Sequence, residues 1–187
     1  MTELVAALRA VVDGLESIDA GYVVVGSTAA AAWGVARTTR DVDLVAVLSE
    51  ADLDRFLLTL DRRTLYVPDD DARDAARRGG SFNVLHPTSG GKVDVFVAAN
   101  GDAFTRSRLQ RRIRLEVFGV ETWVATAEDV VLAKLRWRLS SRSEVQWRDC
   151  VEIAGSQLLD RVYLDRWAPE LGVEDDLADL MAAIDEV

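Results

Sequence analysis

Three aspartates and a Gly-Ser pair are the residues of this chain whose types and spacing point most directly to chemistry. Gly26 and Ser27 follow one apolar run, Asp41 and Asp43 begin a second, and Asp94 lies inside a third. Residues i and i+2 of a strand share a face, so two of these carboxylates can converge on one hard cation, joined by the third if the strands are neighbours. Glycine permits close backbone approach, and a helix N-terminus favours phosphate. The pattern predicts a site for divalent metal and phosphate.

Each part of this pattern also has an ordinary structural explanation. An isolated Asp-x-Asp is usually a solvated strand edge or turn, and an isolated Gly-Ser after a strand is usually a turn and a helix cap. The combination of all three parts in this order is more specific than any one of them. The chain contains no Gly-Lys-Ser or Gly-Lys-Thr run, so the phosphate site is not a Walker A loop.

The elements that must position these residues follow from hydrophobic periodicity. Helical spacing and cap residues predict helices over 2–18, 27–35, 49–60, 127–139, 143–154, 158–167 and 174–186. Apolar runs predict strands over 22–25, 81–85, 92–97, 111–118 and 120–124, with a loop or short helix over 61–80. The second strand carries Asp41 and Asp43 and is extended by residues 44–48. We therefore predict an α+β (α/β) fold: a mixed sheet flanked by helices over residues 1–124, and a C-terminal helical bundle over 125–187 packed on it.

Composition limits the classes of function. The formal net charge of −10 argues against a sequence-blind nucleic-acid binder, although it leaves room for a local basic groove. Hydrophobic residues make up 49% of the chain, enough for a packed core, and no run approaches the ~20 apolar residues of a membrane helix. Cys150 is the single cysteine, so no intrachain disulfide can form. With no signal peptide in view, we expect a cytoplasmic protein with no membrane partner.

The order Gly-Ser, Asp-x-Asp and a later apolar-flanked Asp resembles the DNA polymerase β-like (minimal) nucleotidyltransferase superfamily. The segment 23–48 is similar to AbiE-type toxin nucleotidyltransferases of toxin–antitoxin systems, and the resemblance covers about residues 20–155. It is carried above all by Arg37, Thr39, Asp41 and Asp43. It implies a nucleotidyltransferase that uses Mg²⁺ (or Mn²⁺) and transfers NMP from an NTP to an acceptor hydroxyl, releasing pyrophosphate.

The resemblance also implies roles for particular residues. The catalytic and metal-binding set would be Asp41, Asp43 and Asp94. The nucleotide-binding set would be Gly26, Ser27, Arg37, Thr39, Lys134 and Asp149. In this reading Gly26 and Ser27 hold the terminal phosphates, Lys134 faces the phosphates from a buried helix, and Asp149 orients Lys134 or Arg136.

Some of these assignments have structural alternatives. In the alternative interpretation, Lys134 is a snorkelling lysine at a helix edge. Asp149 is then an ordinary exposed acid beside Arg148. Arg37 and Arg40 either contact phosphate or form surface ion pairs. The basic segment of Arg106, Arg108, Arg111, Arg112 and Arg114 is either a groove for an RNA acceptor such as a tRNA end or, as we favour, a solvated strand face.

The acceptor is open at this stage. RNA or protein is the leading class, with a toxin role and an antitoxin protein as partner. A small molecule such as an aminoglycoside or a lincosamide suits the acidic composition better than RNA does. A non-catalytic nucleotide-binding module is the third reading, and the intact trio of acids argues against it.

Overall fold

A six-stranded mixed β-sheet lies at the centre of the structure, a computed structural model that describes residues 2–36, 39, 41–87, 90–99 and 101–185. Its strands are β1 (Tyr22–Val25), β2 (Asp41–Ala46), β3 (Gly80–His86), β4 (Gly91–Val97), β5 (Ile113–Val117) and β6 (Val120–Val124). The strand order is β3-β4-β2-β1-β6-β5. Parallel pairing joins β1 to β6 and β2 to β4, and the other three pairs are antiparallel. The predicted mixed sheet is confirmed.

Helices pack around this sheet. Some of them connect its strands, and the others come after the last strand in the sequence. They are α1 (Thr2–Ser17), α2 (Gly26–Ala32), α3 (Glu50–Thr59), α4 (Asp69–Arg78), α5 (Ala103–Arg111), α6 (Ala127–Ser141), α7 (Glu144–Ser156), α8 (Arg161–Leu171) and α9 (Glu174–Asp185). Helix α1 packs against β3, β4 and β6. Across the described ranges, no helix combines the length and apolarity needed to cross a membrane.

The alternation of side chains along β2 decides which face of the sheet carries chemistry. Val42 and Leu44 are fully buried, whereas Asp41 and Asp43 point to the opposite face and remain partly exposed. Strand β4 alternates in the same way: the valines are buried, and Lys92, Asp94 and Phe96 lie on the opposite face. One face therefore builds the core and the other is free to hold a site.

The structure defines three elements more exactly than the sequence did. Strand β2 contains Asp41 and Asp43, as predicted, and ends at Ala46 rather than at residue 48. Helix α4 occupies Asp69–Arg78, inside the stretch expected to be a loop or short helix. Helix α5 was missed, and Arg111 is its last residue rather than the start of a strand. The cap Asp102, whose carboxylate accepts from the backbone of Phe104 and Thr105, starts this helix.

The C-terminal helices share one hydrophobic core with the sheet. The buried cluster runs from α1 and the strands through Leu132 and Leu135 of α6 to Leu164 and Leu180. Helix α6 packs against α2, α7, α8 and α9, which joins the helical region to the element that follows β1. The side chain of Thr126 caps α6, as predicted, by accepting from the backbone N–H of Asp129.

Cys150 lies at the centre of the α6–α7 packing and offers a test of it. Its side chain is fully buried, its thiol donates to the Val131 carbonyl at 3.8 Å, and burial raises its pKa to about 12. Because the thiolate is the reactive species, we expect a thiol reagent at pH 8 to label the native protein slowly and the urea-unfolded protein at once. Rapid labelling of the native protein would show that α6 and α7 separate readily.

Candidate active site

The sheet register brings the three predicted catalytic acids together. Asp43 on β2 lies between Val25 on β1 and Asp94 on β4, directly opposite both. Asp41 precedes it by two residues and faces Lys92 across the parallel β2–β4 pair. All three carboxylates line one pocket of about 460 Å³, together with residues of α2, α5 and α6. The convergence expected from the spacing is therefore present.

The electrostatics of this cluster are unfavourable for Asp43. Burial raises the pKa of its carboxyl, and the nearby charges of Asp41 and Asp94 raise it further. Lys92 offsets part of this charge, because its ammonium lies 2.7 Å from an Asp94 carboxylate oxygen and 3.5 Å from one of Asp41. The site still holds more acid than base at the point where β1, β2 and β4 meet, which is the environment that attracts a cation.

Gly26 allows the backbone to pass directly beside Asp43. Its φ is +64°, and a Cβ at this position would lie 2.1 Å from an Asp43 carboxylate oxygen. Only glycine fits both the positive φ and this contact. Ser27 follows it and also lines the pocket. The position of the Gly-Ser pair is thus explained by geometry, because Gly26, the residue after β1, leaves room for the Asp43 carboxylate.

We expect Gly26→Ala to displace the Asp43 carboxylate and to impair any reaction that depends on this carboxylate. A left-handed φ costs a non-glycine residue ~1–2 kcal/mol, so the free energy of unfolding should fall as well. Gly172 is a matched control, because its φ is +69° and a Cβ there meets nothing within 4 Å. Gly172→Ala should lose only the ~1–2 kcal/mol of the left-handed backbone and keep its activity. Equal activity losses in the two variants would contradict a specific contact between residue 26 and Asp43.

Lys134 reaches the pocket from α6 and is held by a buried ion pair. Its ammonium lies 2.7 Å from an Asp149 carboxylate oxygen and donates to the Gln146 amide oxygen at 3.0 Å. The side chains of Lys134 and Asp149 are each 5% exposed. Lys134 and Gln146 line the pocket, while Asp149 stands behind the lysine. This arrangement agrees with a role for Asp149 in orienting Lys134, and it does not involve Arg136.

Arg108 lines the pocket, although the sequence singled it out only as part of the basic segment. It lies on α5, and its guanidinium donates to the Thr105 hydroxyl at 2.8 Å, while its buried Nε has no hydrogen-bond partner among the described residues. Burial lowers its pKa, as expected of a cation taken out of water. Arg108 and Lys134 line the same pocket, and the guanidinium of Arg108 has further N–H donors with which to bind an anion there. Because helix α5 was not predicted, the sequence did not indicate that Arg108 points into the pocket.

A fourth carboxylate, Asp129, completes the charged lining. It accepts hydrogen bonds from the hydroxyls of Thr126 and Tyr163, at 2.9 Å and 2.7 Å. Burial raises the pKa of Asp129. The Tyr163 hydroxyl is also 2.9 Å from that of Ser107, so this network ties α5, α6 and α8 together behind Arg108.

Thr39, another of the predicted nucleotide-binding residues, lies beside Asp41. The Thr39 hydroxyl donates to the Asp41 carbonyl oxygen and lies 3.3 Å from its carboxylate. Thr28, buried on α2, donates to the same carbonyl at 3.3 Å. Thr39 therefore fixes the start of β2 and does not line the pocket. Arg37 and Arg40 lie outside the described residues.

The basic segment does not form one face. Arg111 pairs with Glu128 and Asp160, and Arg114 pairs with Glu16. Arg112 lies over the ring of Trp123. The favoured strand-face explanation holds for Arg114 but is wrong for the arginines on α5, because that segment is helical and directs Arg108 inward.

The donor set fits a divalent metal in its chemistry. Carboxylate oxygens are the ligands that Mg²⁺ and Mn²⁺ prefer, and the excess acid around Asp43 would be relieved by a cation. Asp41, Asp43 and Asp94 are the residues that would hold it. Among the described residues, no three acidic, histidine or cysteine side chains are gathered closely enough to form a complete metal cluster. Lys92 instead lies against two of the three acids.

Comparison of the fold with solved structures identifies its class. The chain is similar to an antigenic nucleotidyltransferase-like protein from Paracoccidioides brasiliensis, with a TM-score of 0.55 and 19% identity over 98% of this chain and 94% of that one. It is similar to the antibiotic-resistance factor ANT(2'')-Ia, with a TM-score of 0.55 and 10% identity over 99% and 96%. No family model and no curated protein matches the sequence. The fold is therefore nucleotidyltransferase-like.

Proposed function

We propose that this protein is a nucleotidyltransferase that transfers NMP from an NTP to an acceptor hydroxyl, with Mg²⁺ or Mn²⁺ as cofactor. The observation that carries the proposal is the meeting of Asp41, Asp43 and Asp94 on one face of the sheet, in a pocket that also contains Lys134 and Arg108. A pocket lined by acids alone would bind a cation, and a pocket lined by cations alone would bind an anion. The two together suit a metal-bound triphosphate.

The roles of the residues follow from their positions. A divalent cation held by Asp41, Asp43 and Asp94 would neutralise phosphate charge during the transfer. Lys134 and Arg108 would bind the phosphates and offset the charge that develops on the departing pyrophosphate. The acceptor oxygen forms a bond to the α-phosphorus as the bond to the pyrophosphate oxygen breaks, and Asp94 would take the hydroxyl proton. Asp149 and Gln146 would keep Lys134 aimed at the phosphates.

Two classes of acceptor are proposed. RNA, such as a tRNA end, or protein follows from the resemblance to AbiE-type toxins, with an antitoxin as partner. A small cationic molecule is the second class, favoured by the net charge of −10 and by the internal pairing of Arg111 and Arg114, which takes them away from any polyanion groove. The fold likeness to ANT(2'')-Ia covers nearly the whole chain and is compatible with this class.

The experiment is a screen of nucleotide against acceptor. The purified chain is incubated with each α-labelled NTP and Mg²⁺ or Mn²⁺, and with total tRNA, a protein extract or a panel of aminoglycosides. Label transfer and pyrophosphate release are measured, and Asp43→Asn is the inactive control. Transfer to one class, dependent on Asp43, supports the proposal and identifies the acceptor. NTP binding with no transfer to any class would favour the non-catalytic reading.

A further inference from the structure

Two exposed aromatic rings line the same pocket as the acids. Trp137 on α6 is 62% exposed, and Phe96 on β4 is 38% exposed. Phe96 lies two residues after Asp94 and shares its face of the sheet. Trp137 lies three residues after Lys134 and shares its face of the helix. The pocket thus combines a charged region with two aromatic rings. Only an apolar or planar part of a ligand would cover these rings.

Trp137 differs from the other four tryptophans of the chain. Trp33 donates its indole N–H to a backbone carbonyl at 2.8 Å, and Trp167 packs against two aromatic rings. Trp123 and Trp147 each lie under an arginine guanidinium. Within the residues that the structure describes, the Trp137 ring makes none of these contacts. A large apolar ring left in water inside a pocket gains free energy when a ligand covers it.

We propose that Trp137 stacks on the base of the nucleotide substrate, with Phe96 as the second apolar wall. This inference rests on the proposed function and adds the subsite for the base. Stacking on an aromatic side chain tolerates every base, because each base has a π face. Trp137 therefore supplies affinity for the nucleoside part of an NTP with weak selection among the four.

The position on α6 favours the base of the NTP over a base of an acceptor. Lys134 and Trp137 are separated by about 4.5 Å along the helix axis. A ligand whose phosphates contact Lys134 therefore has its own nucleoside close to Trp137. An acceptor has to approach the α-phosphate from the other side, because the attacking and leaving oxygens lie roughly in line.

The test compares ligands with and without a base. Isothermal titration calorimetry measures Kd of the full chain for ATP, CTP and inorganic tripolyphosphate, in the wild type and in Trp137→Ala, Trp137→Phe and Leu139→Ala. Leu139 is the control because it is an exposed apolar residue of α6 outside the pocket. We expect Trp137→Ala to weaken NTP binding about 5- to 100-fold and to leave tripolyphosphate unchanged. Trp137→Phe should recover most of the affinity, and Leu139→Ala should match the wild type.

Several outcomes would overturn the inference. Wild-type NTP affinity in Trp137→Ala would show that the ring does not contact the base. An equal loss for NTP and tripolyphosphate would show that the ring supports the pocket rather than the nucleoside. A raised KM for the acceptor with unchanged NTP binding would assign the ring to the acceptor. Absence of NTP binding in the wild type is a different failure, because it contradicts the proposed function itself.

Discussion

Asp43→Asn is expected to lower the rate of nucleotide transfer about 10³-fold, because it removes a proposed ligand of the cation, while leaving the protein at least as stable as the wild type. The loss of rate follows from the central position of Asp43, which lies between β1 and β4 and directly opposite Asp94. An amide of the same shape keeps the packing but removes the negative charge. Transfer is measured as label incorporation from the preferred NTP.

The expected stability has a separate physical reason. Burial and the charges of Asp41 and Asp94 raise the pKa of Asp43, so its ionised form opposes folding at neutral pH. Asparagine removes that cost, and the thermal midpoint should stay the same or rise. Asp165→Asn, at an exposed acid on α8, is the control and should change neither quantity. Transfer in Asp43→Asn within tenfold of the wild type would contradict the assignment of this carboxylate to the reaction.

The part of the site that could be predicted from sequence is the part encoded by local spacing. Asp41 and Asp43 are two residues apart, so any strand through them places both on one face. The contact of Gly26 with Asp43 was not predicted, since the glycine was expected to allow close approach of a ligand. The closeness of a backbone to a side chain 17 residues away depends on the antiparallel register of β1 and β2. That register is a property of the folded sheet.

Helix α5 shows why the rest of the site was not predicted. Its sequence, Ala103–Arg111, is mostly polar, and Phe104 and Thr105 are its buried residues. Without an apolar stripe, the periodicity that identifies a helix is absent. The adjoining β5 alternates apolar and charged residues, so the strand pattern was extended backwards over Arg111. Arg108 was assigned with the wrong element, and its position in the pocket could not be inferred.

The extent of helix α4, predicted only as a loop or short helix, was left open for a related reason. Ala72 and Ala75 are its buried residues, and alanine gives a weak hydrophobic signal. A charge signal was present, since three aspartates occupy the first turn and two arginines the last. This distribution matches the helix dipole and could have identified the helix where hydrophobicity did not.

Breaking the buried Lys134–Asp149 pair is expected to lower the free energy of unfolding more than any other substitution proposed for this protein. Both side chains are 5% exposed, and their charged atoms are 2.7 Å apart. Removing either partner takes away an opposite charge held at 2.7 Å inside the protein, and breaking a buried pair in this way costs about 3–5 kcal/mol. We therefore expect Lys134→Met and Asp149→Ala each to lower the free energy of unfolding by that amount, measured by urea denaturation. The exposed pair of Arg73 and Asp54 provides the control, and Asp54→Ala should cost less than about 1 kcal/mol.

The double variant separates charge from packing. If the cost is that of losing the opposite charge, Lys134→Met with Asp149→Ala should be less destabilised than the sum of the single variants, because neither of the two charges is then present. Additive losses would contradict this and would assign the cost to packing around α6 and α7. Activity gives an independent readout, since the proposed phosphate role of Lys134 requires Asp149 to hold it. Asp149→Asn, which keeps the shape of the side chain, should therefore raise KM for the NTP even where the protein is folded.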